Sequence, residues 1–351
     1  MNLQETINSK TKQGALYEKI EGGKVRCLAC GHGCVISDNS TGICKVRRNN
    51  QGILMVPNGY VSGLGIDPIE KKPFFHVLPC AKTLSFGMLG CNFKCAFCQN
   101  HITSQALRDP FCFSGIEEIS SDEIAALAVK KNIPLIVSTY NEPLITTEWA
   151  VEIFSKAGEK GIRGAYVSNG YATAKVLDFI RPYVDFYKVD LKTFNPDNYK
   201  RICGGSLEIV KKTIEEIYKR GFWLEIVTLL IPGFNDSEQE LKDIAEFICG
   251  VSADIPWHVT AFHPDYKMKR ADFTSPSSIL NAVDTGKKAG LNYVYAGNMG
   301  HSQFENTFCP GCKELLVERN GYFVEKFSVL VDAGGKGICP GCKRRIAGVW
   351  K

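Results

Sequence analysis

The chain has 351 residues, 44% apolar and 11% aromatic, enough for one large domain with smaller appendages. Its 42 basic and 37 acidic side chains leave a net charge of +5, too mild to argue for nucleic acid, and the basic clusters Lys45–Arg48 and Lys343–Arg345 read as solvated surface. The opening residues lack the apolar core of a signal peptide, and no run approaches the roughly 18 to 20 apolar residues of a membrane span, so the sequence implies no membrane and a cytoplasmic protein. Thiols stay reduced there, and 15 cysteines then point to metals or redox chemistry rather than to disulfides.

Residues 1–79 form a cysteine-rich N-terminal region with Cys27, Cys30, Cys34 and Cys44 in the spacing C-x2-C-x3-C-x9-C, which departs from the bacterial ferredoxin run. A structural zinc is the preferred reading and an auxiliary iron-sulfur cluster the next; His32 could replace one thiol in either.

Residues 80–300 alternate β-rich runs with helical periods. Strand-like runs fall at Thr83–Leu89, Leu135–Tyr140, Gly164–Asn169, Phe186–Lys192, Trp223–Ile231, Trp257–Phe262 and Tyr293–Asn298. Ser120 with Glu123 reads as a capping box ahead of Ile124, Leu127 and Ala128; Leu207, Val210, Ile214 and Ile217 keep one helical face until Gly221, and Leu241, Ile244 and Ile248 do so before Gly250. The alternation predicts an α/β fold, a partial or near-complete TIM-like (β/α)6-7 barrel. Nearly every strand ends in a polar or glycine-bearing tail, GCNFKC, TYNEP, SNG, DLK, PGFND and FHP in order, on the edge where barrel enzymes build their sites.

Residues 301–351 repeat CPGCK, with Cys309 and Cys312 in one copy and Cys339 and Cys342 in the other. A hairpin turn is expected at Asn320-Gly321 between them, and the pattern predicts a zinc ribbon that folds on its metal. Of the scattered cysteines, Cys80, Cys112 and Cys249 read as small core hydrophobes, and Cys203 in RICGG is a candidate for a substrate-side role.

The loop GCNFKCAFCQN carries Cys91, Cys95 and Cys98 as C-x3-C-x2-C. Four thiolates satisfy a 4Fe-4S cube; three leave one iron open to chelate a substrate or cosubstrate. The bland alternative is a three-cysteine zinc site completed by His101 or another residue.

With that motif after the first strand of a TIM-like barrel, the chain resembles the radical S-adenosylmethionine (SAM) superfamily. The resemblance implies that SAM chelates the open iron and that its one-electron cleavage gives a 5'-deoxyadenosyl radical, which abstracts hydrogen from a substrate. DLK at Asp190–Lys192 with PGFND at Pro232–Asp236 looks like the activating enzymes of pyruvate formate-lyase, in which the Asp and Lys contact SAM; the likeness covers Leu84 to Pro264. Where such enzymes often carry GGE, this chain has Tyr140, Asn141, Glu142 and Pro143, with Asn141 and Glu142 implied as SAM contacts. Ser168, Asn169 and His258 sit where ribose, carboxylate or adenine contacts are usual, against a plain turn at Asn169-Gly170 and a core histidine at His258. A narrower likeness, to the AmmeMemoRadiSam system radical SAM enzymes, rests on IDPIEKKPFFH (Ile66–His76), the cysteine loop, TYNEP, WHVTAFHPDYKM, YVYAGN and the terminal AGVW. It implies AmmeMemo partner proteins, with a flavodoxin or ferredoxin-type electron donor.

Three functions compete. One is a radical SAM enzyme of this type acting on a small molecule or partner protein, and another an activase that places a glycyl radical on a large partner. The third is a non-catalytic zinc-ribbon binding protein, which has no use for an open three-cysteine site.

Overall fold

The computed structural model describes residues 3–300 and 303–351. Its middle holds the seven expected strands and the helices between them, in chain order β1 (Lys82–Gly87), α1 (Ser121–Lys130), β2 (Leu135–Ser138), α2 (Thr147–Gly158), β3 (Arg163–Ser168), α3 (Ala174–Ile180), β4 (Phe186–Asp190), α4 (Leu207–Lys219), β5 (Trp223–Leu230), α5 (Glu238–Val251), β6 (Trp257–Ala261), α6 (Pro276–Lys288) and β7 (Val294–Gly297). The chain forms two compact units that alternate along the sequence: Met1–Ile66, Thr83–Tyr187 and Lys200–Phe222 in the first, and Asp67–Lys82, Lys188–Tyr199 and Trp223–Lys351 in the second.

In the first unit β1, β2 and β3 are parallel, with Leu84 and Gly164 both level with Ile136. Such strands are buried on both faces, hence the unbroken apolar run of Leu135, Ile136 and Val137. Helix α1 starts on the predicted capping box, Ser120 and Glu123 each closing on the other's backbone. Helix α4 buries Leu207, Val210, Ile214 and Ile217 and gives way to Gly221 at φ 74°, as its pattern predicts. Two small antiparallel sheets precede the repeats, one of Thr11–Gln13, Ile53–Pro57 and Arg48–Asn50, the other of Tyr17–Ile20, Lys24–Cys27 and Val35–Ile36. The Lys45–Arg48 cluster is not all surface. Arg47 is buried and forks onto Glu148 at 2.7 and 2.6 Å, and Glu148 also accepts the N–H groups of Ala15 and Leu16.

In the second unit β5, β6 and β7 are parallel, with Val227 level with His258 and His258 with Tyr295. Helix α5 runs through Gly250 to Val251, because that exposed glycine keeps a right-handed backbone and the stop falls at Ser252. The FFH segment is a buried strap. The N–H groups of Phe75 and His76 both donate to Glu225 at 3.0 Å, and the His76 ring bonds the Ala347 carbonyl at 2.6 Å and the Tyr295 hydroxyl at 2.5 Å. An isolated parallel bridge joins Val77 to Val349, and the Val349 N–H donates to the His76 carbonyl at 2.8 Å, so PFFH and AGVW lie side by side. The C-terminal ribbon packs Leu316, Val317, Val329 and Ile346 with Phe75, Tyr295 and Trp350 in a shared core. Its hairpin turns one residue later than expected: Asn320 pairs with Phe323, and Gly321, at φ 61°, opens the two-residue turn. Cys80 is exposed rather than a core residue, Cys249 half-buried and Cys112 buried.

Candidate active site on the strand tails

The three-thiol loop follows β1 directly. Phe93 N–H donates to Cys91 Sγ at 3.3 Å, and Cys98 Sγ lies 3.2 Å from Ser104 Oγ. Burial pushes the Cys91 thiol well up, and the charges of Glu142, Cys95 and Cys98 push it further, so the three sulfurs repel as thiolates and call for a cation between them. His101, the alternative fourth ligand, has its Nδ1 on the Cys98 carbonyl at 3.0 Å. RICGG backs the loop: the Cys203 carbonyl accepts the Lys94 N–H at 2.8 Å, and a Cβ at Gly205 would lie 2.4 Å from Phe93 Cζ. Cys203 itself is fully buried, so its contribution is backbone support.

The β2 and β3 tails close around Glu142. Its carboxylate accepts Ser168 Oγ–H at 2.7 Å and the N–H groups of Asn169 at 2.8 Å and Leu144 at 3.1 Å, which fixes SNG against NEP. Asn169 reaches Asn92 in the cysteine loop at 2.7 Å, and Asn141 Oδ1 accepts the Met88 N–H at 3.0 Å. Cys91, Asn92, Glu142, Ser168 and Asn169 therefore share one polar network, and Asn141 pins the β2 tail to Met88 beside it. Tyr140 holds φ 69°, so the backbone that glycines take easily in GGE is kept here by a tyrosine.

In the second unit Asp190 ends β4 between two lysines, Lys188 at 2.8 Å and Lys192 at 3.4 Å. Burial works against its charge, but the lysines outweigh it and hold the carboxyl below its ordinary range. Asn235 of PGFND, which the sequence did not single out, is fully buried and clamps this tail: its amide donates to the carbonyls of Lys192 and Leu229 at 2.8 and 2.9 Å, and its Oδ1 accepts the Ile231 N–H. His258 departs from expectation. It is the second residue of β6, at the strand's N-terminal end, and its ring is committed to Glu225 at 2.7 Å and packed on Phe75 and Tyr295. The histidine that β6 sends to its C-terminal tail is His263, exposed beside Phe262; strand direction applied to WHVTAFHP is the signal that separates the two.

The ribbon thiols form a closed set. Sulfurs of Cys309, Cys312, Cys339 and Cys342 all lie within 4.8 Å of one another, with the Cys309–Cys342 and Cys312–Cys339 pairs at 3.6 Å. That spacing and donor type suit a tetrahedral metal site. The Arg344 N–H holds the Cys342 thiol down at about 7.

The donors on the strand tails fit the cluster and cosubstrate that the three-thiol loop implies. Ser138 Oγ and Asn141 Nδ2 are buried there without a partner. A sequence profile of the radical SAM superfamily matches residues 87–248. An uncharacterised protein of Methanocaldococcus jannaschii, MJ0808, is 36% identical over 330 residues, 93% of this chain and 97% of its own length. The indoleacetate decarboxylase activating enzyme of Tractidigestivibacter scatoligenes is 28% identical over 44% of this chain and 51% of its own, and the pyruvate formate-lyase-activating enzyme of Streptococcus mutans 21% identical over 46% and 64%. The match thus spans half to just under two thirds of these activating enzymes. The chain belongs to the radical SAM superfamily, as an enzyme related to the activating enzymes of glycyl-radical enzymes. Among the described residues no helix is long and apolar enough to cross a membrane.

Proposed function

We propose that Cys91, Cys95 and Cys98 hold a 4Fe-4S cluster whose open iron takes SAM, and that the enzyme abstracts a hydrogen atom from its substrate. The observation that carries this reading is a loop of three thiols directly after β1, supplied with an N–H donor at Cys91 and left one short of a closed set. When bound, the cluster and SAM supply the electron and the 5'-deoxyadenosyl radical. The chain's own residues orient and exclude water. Asn141, Glu142, Ser168 and Asn169 present the polar rim beside the loop; Asp190 and Lys192 are the paired charges for the amino-acid part of SAM, steadied by Asn235. His263 takes the tail role first read onto His258. The ribbon holds zinc, residues 80–300 form the catalytic region between the two cysteine-rich ends, and a flavodoxin or ferredoxin-type protein supplies electrons. AmmeMemo proteins are the proposed partners.

The test is 5'-deoxyadenosine formation by anaerobically reconstituted protein given SAM and dithionite, beside Cys95→Ala. Wild-type cleavage with none in the variant supports the reading; equal yields from both would sink it. The names of the activating-enzyme relatives favour a second reading, glycyl-radical installation, which predicts a glycine-centred EPR signal on a partner enzyme after turnover.

A further inference from the structure

We propose that Cys27, Cys30, Cys34 and Cys44 hold a second iron-sulfur cluster, and that this site braces the loop of Cys91, Cys95 and Cys98. Three stretches of backbone bring the four thiols together. Cys27 ends the strand Lys24–Cys27, and its N–H donates to the Cys34 carbonyl across the antiparallel pair at 2.9 Å, with Cys30 in the turn between. Cys44 lies in a second turn, closed by Gly42 N–H on the Arg47 carbonyl at 2.8 Å. Lys45 after it holds φ 67°, the conformation that Lys313 and Lys343 hold after Cys312 and Cys342, at 63° and 64°. Three Cys-Lys pairs thus share the left-handed lysine, although the Lys45 N–H closes on Gly42 three residues back where Lys313 and Lys343 close on a cysteine four back.

The sulfurs are also dressed as ligands. Backbone N–H groups point at them: His32 at Cys30, Ile43 at Cys34, and both Val46 and Arg47 at Cys44. Cysteines that only fill a core need no such donors. Cys27, Cys30 and Cys44 are buried and Cys34 half-buried, and a Cβ on Gly42 of the second turn would lie 3.6 Å from Cys34 Sγ, so the two turns meet at their thiols. The neighbouring cation, Arg47, is committed to Glu148 and leaves the charge of a thiolate set to a metal. Spacing selects the kind. A zinc tetrahedron with bonds of about 2.3 Å sets its sulfurs about 3.8 Å apart. Among the described residues the ribbon sulfurs meet that compactness, while the N-terminal four, like the catalytic three, are spread more widely.

The two sites share a wall. The Asn92 carbonyl, inside the three-thiol motif, bonds His32 Nε2 at 3.0 Å, and the Asn92 amide nitrogen is buried beside it without a partner. Arg108 binds the carbonyls of Ile43 and Cys91 together. A Cβ at Gly90 would lie 2.8 Å from the Cys44 carbonyl, so the second turn rests on the residue preceding Cys91. Metal in the N-terminal set fixes these anchors and so fixes the loop.

The bracing half rests on reading Cys91, Cys95 and Cys98 as cluster ligands; the second cluster does not. Iron and zinc are counted on the anaerobically reconstituted full chain and on the triple variant Cys91→Ser, Cys95→Ser, Cys98→Ser. We expect about eight irons in the wild type and about four in the triple variant. Four in the wild type, or a second equivalent of zinc in place of iron, overturns the proposal; the wild-type count decides even if the triple variant does not fold. For the bracing, His32→Phe keeps the ring packing and removes the bond to Asn92. A several-fold loss of the SAM-responsive EPR signal with the triple variant's iron count retained supports it, and an unchanged signal overturns it. A wild type with eight irons and no SAM response would refute the catalytic reading alone.

Discussion

The ribbon and the Cys91–Cys98 loop both gather thiols, by opposite means. Each ribbon knuckle closes on itself: Cys309 N–H on the Glu314 carbonyl at 2.8 Å and Lys313 N–H on Cys309 at 3.0 Å, repeated as Cys339 on Arg344 at 2.9 Å and Lys343 on Cys339 at 3.1 Å. The three-thiol loop borrows its partners from farther along the chain: the Cys203 carbonyl for Lys94, His32 and Asn169 for Asn92, Gln105 and Arg108 for the Phe93 carbonyl. A closed site that lacks only its metal depends on the metal; an open site depends on the folded unit around it.

The largest effect should follow from emptying the ribbon. Structural zinc contributes on the order of 10 kcal/mol to folding of small thiolate sites. Cys339→Ser, or a strong chelator, is therefore expected to expose the chain after residue 303 to protease while iron loading of the catalytic loop is kept. A ribbon that stays protected without metal would break the comparison.

A smaller effect comes from acid. His76 is buried, which drops it to about 4 despite the pull of Glu225. The unfolded chain takes up that proton near its ordinary value of about 6.5, so stability rises with pH through this window and is lost as pH falls from about 6.5 to about 4. The difference is about 3 kcal/mol, read as the change in urea midpoint of wild type relative to His76→Gln between pH 7.5 and pH 4.5. Equal pH slopes for the two proteins would contradict it.

Two glycines sharpen the contrast directly. Gly205→Ala drives a methyl into the Phe93 ring and should destabilise by about 1 to 3 kcal/mol, with reduced iron content. In the ribbon, a Cβ at Gly311 meets Arg344 Cδ at 3.2 Å, the flexible end of a side chain, and Gly311→Ala should stay within about 0.5 kcal/mol of wild type. Comparable losses at the two positions would mean that local closure does not protect the ribbon.

The same contrast decides what the sequence revealed. The strands, the Ser120 capping box and the CPGCK knuckles were legible because their determinants lie within a few residues of one another. Glu225, Asn235, Gly205 and Arg47 were not, since each acts on residues far away in sequence and has no local pattern. His258 stayed divided between a cofactor contact and a core histidine because a polar residue on a strand says nothing of function until strand direction says which end is the site. The FFH strap stayed open for the same reason: Glu225 and Ala347 define it, and both are remote.

Tyr140 offers the finest test, because it sets side chain against backbone at one residue. Its left-handed backbone costs a non-glycine residue about 1 to 2 kcal/mol, yet its ring covers Gly63 and Gly87, where added Cβ atoms would lie 3.3 and 3.1 Å from its Cδ2. Tyr140→Gly relieves the backbone, gives up that packing and loosens the unfolded chain, three effects of similar size and mixed sign. We expect a net change within about 1 kcal/mol and unaltered iron loading. Asn141→Ala next to it strands the buried Met88 N–H and should cost about 1 to 3 kcal/mol. If Tyr140→Gly instead emptied the loop while Asn141→Ala did not, the ring rather than the backbone turn would hold the β2 tail in place, and the likeness to a glycine-bearing tail would be one of position only.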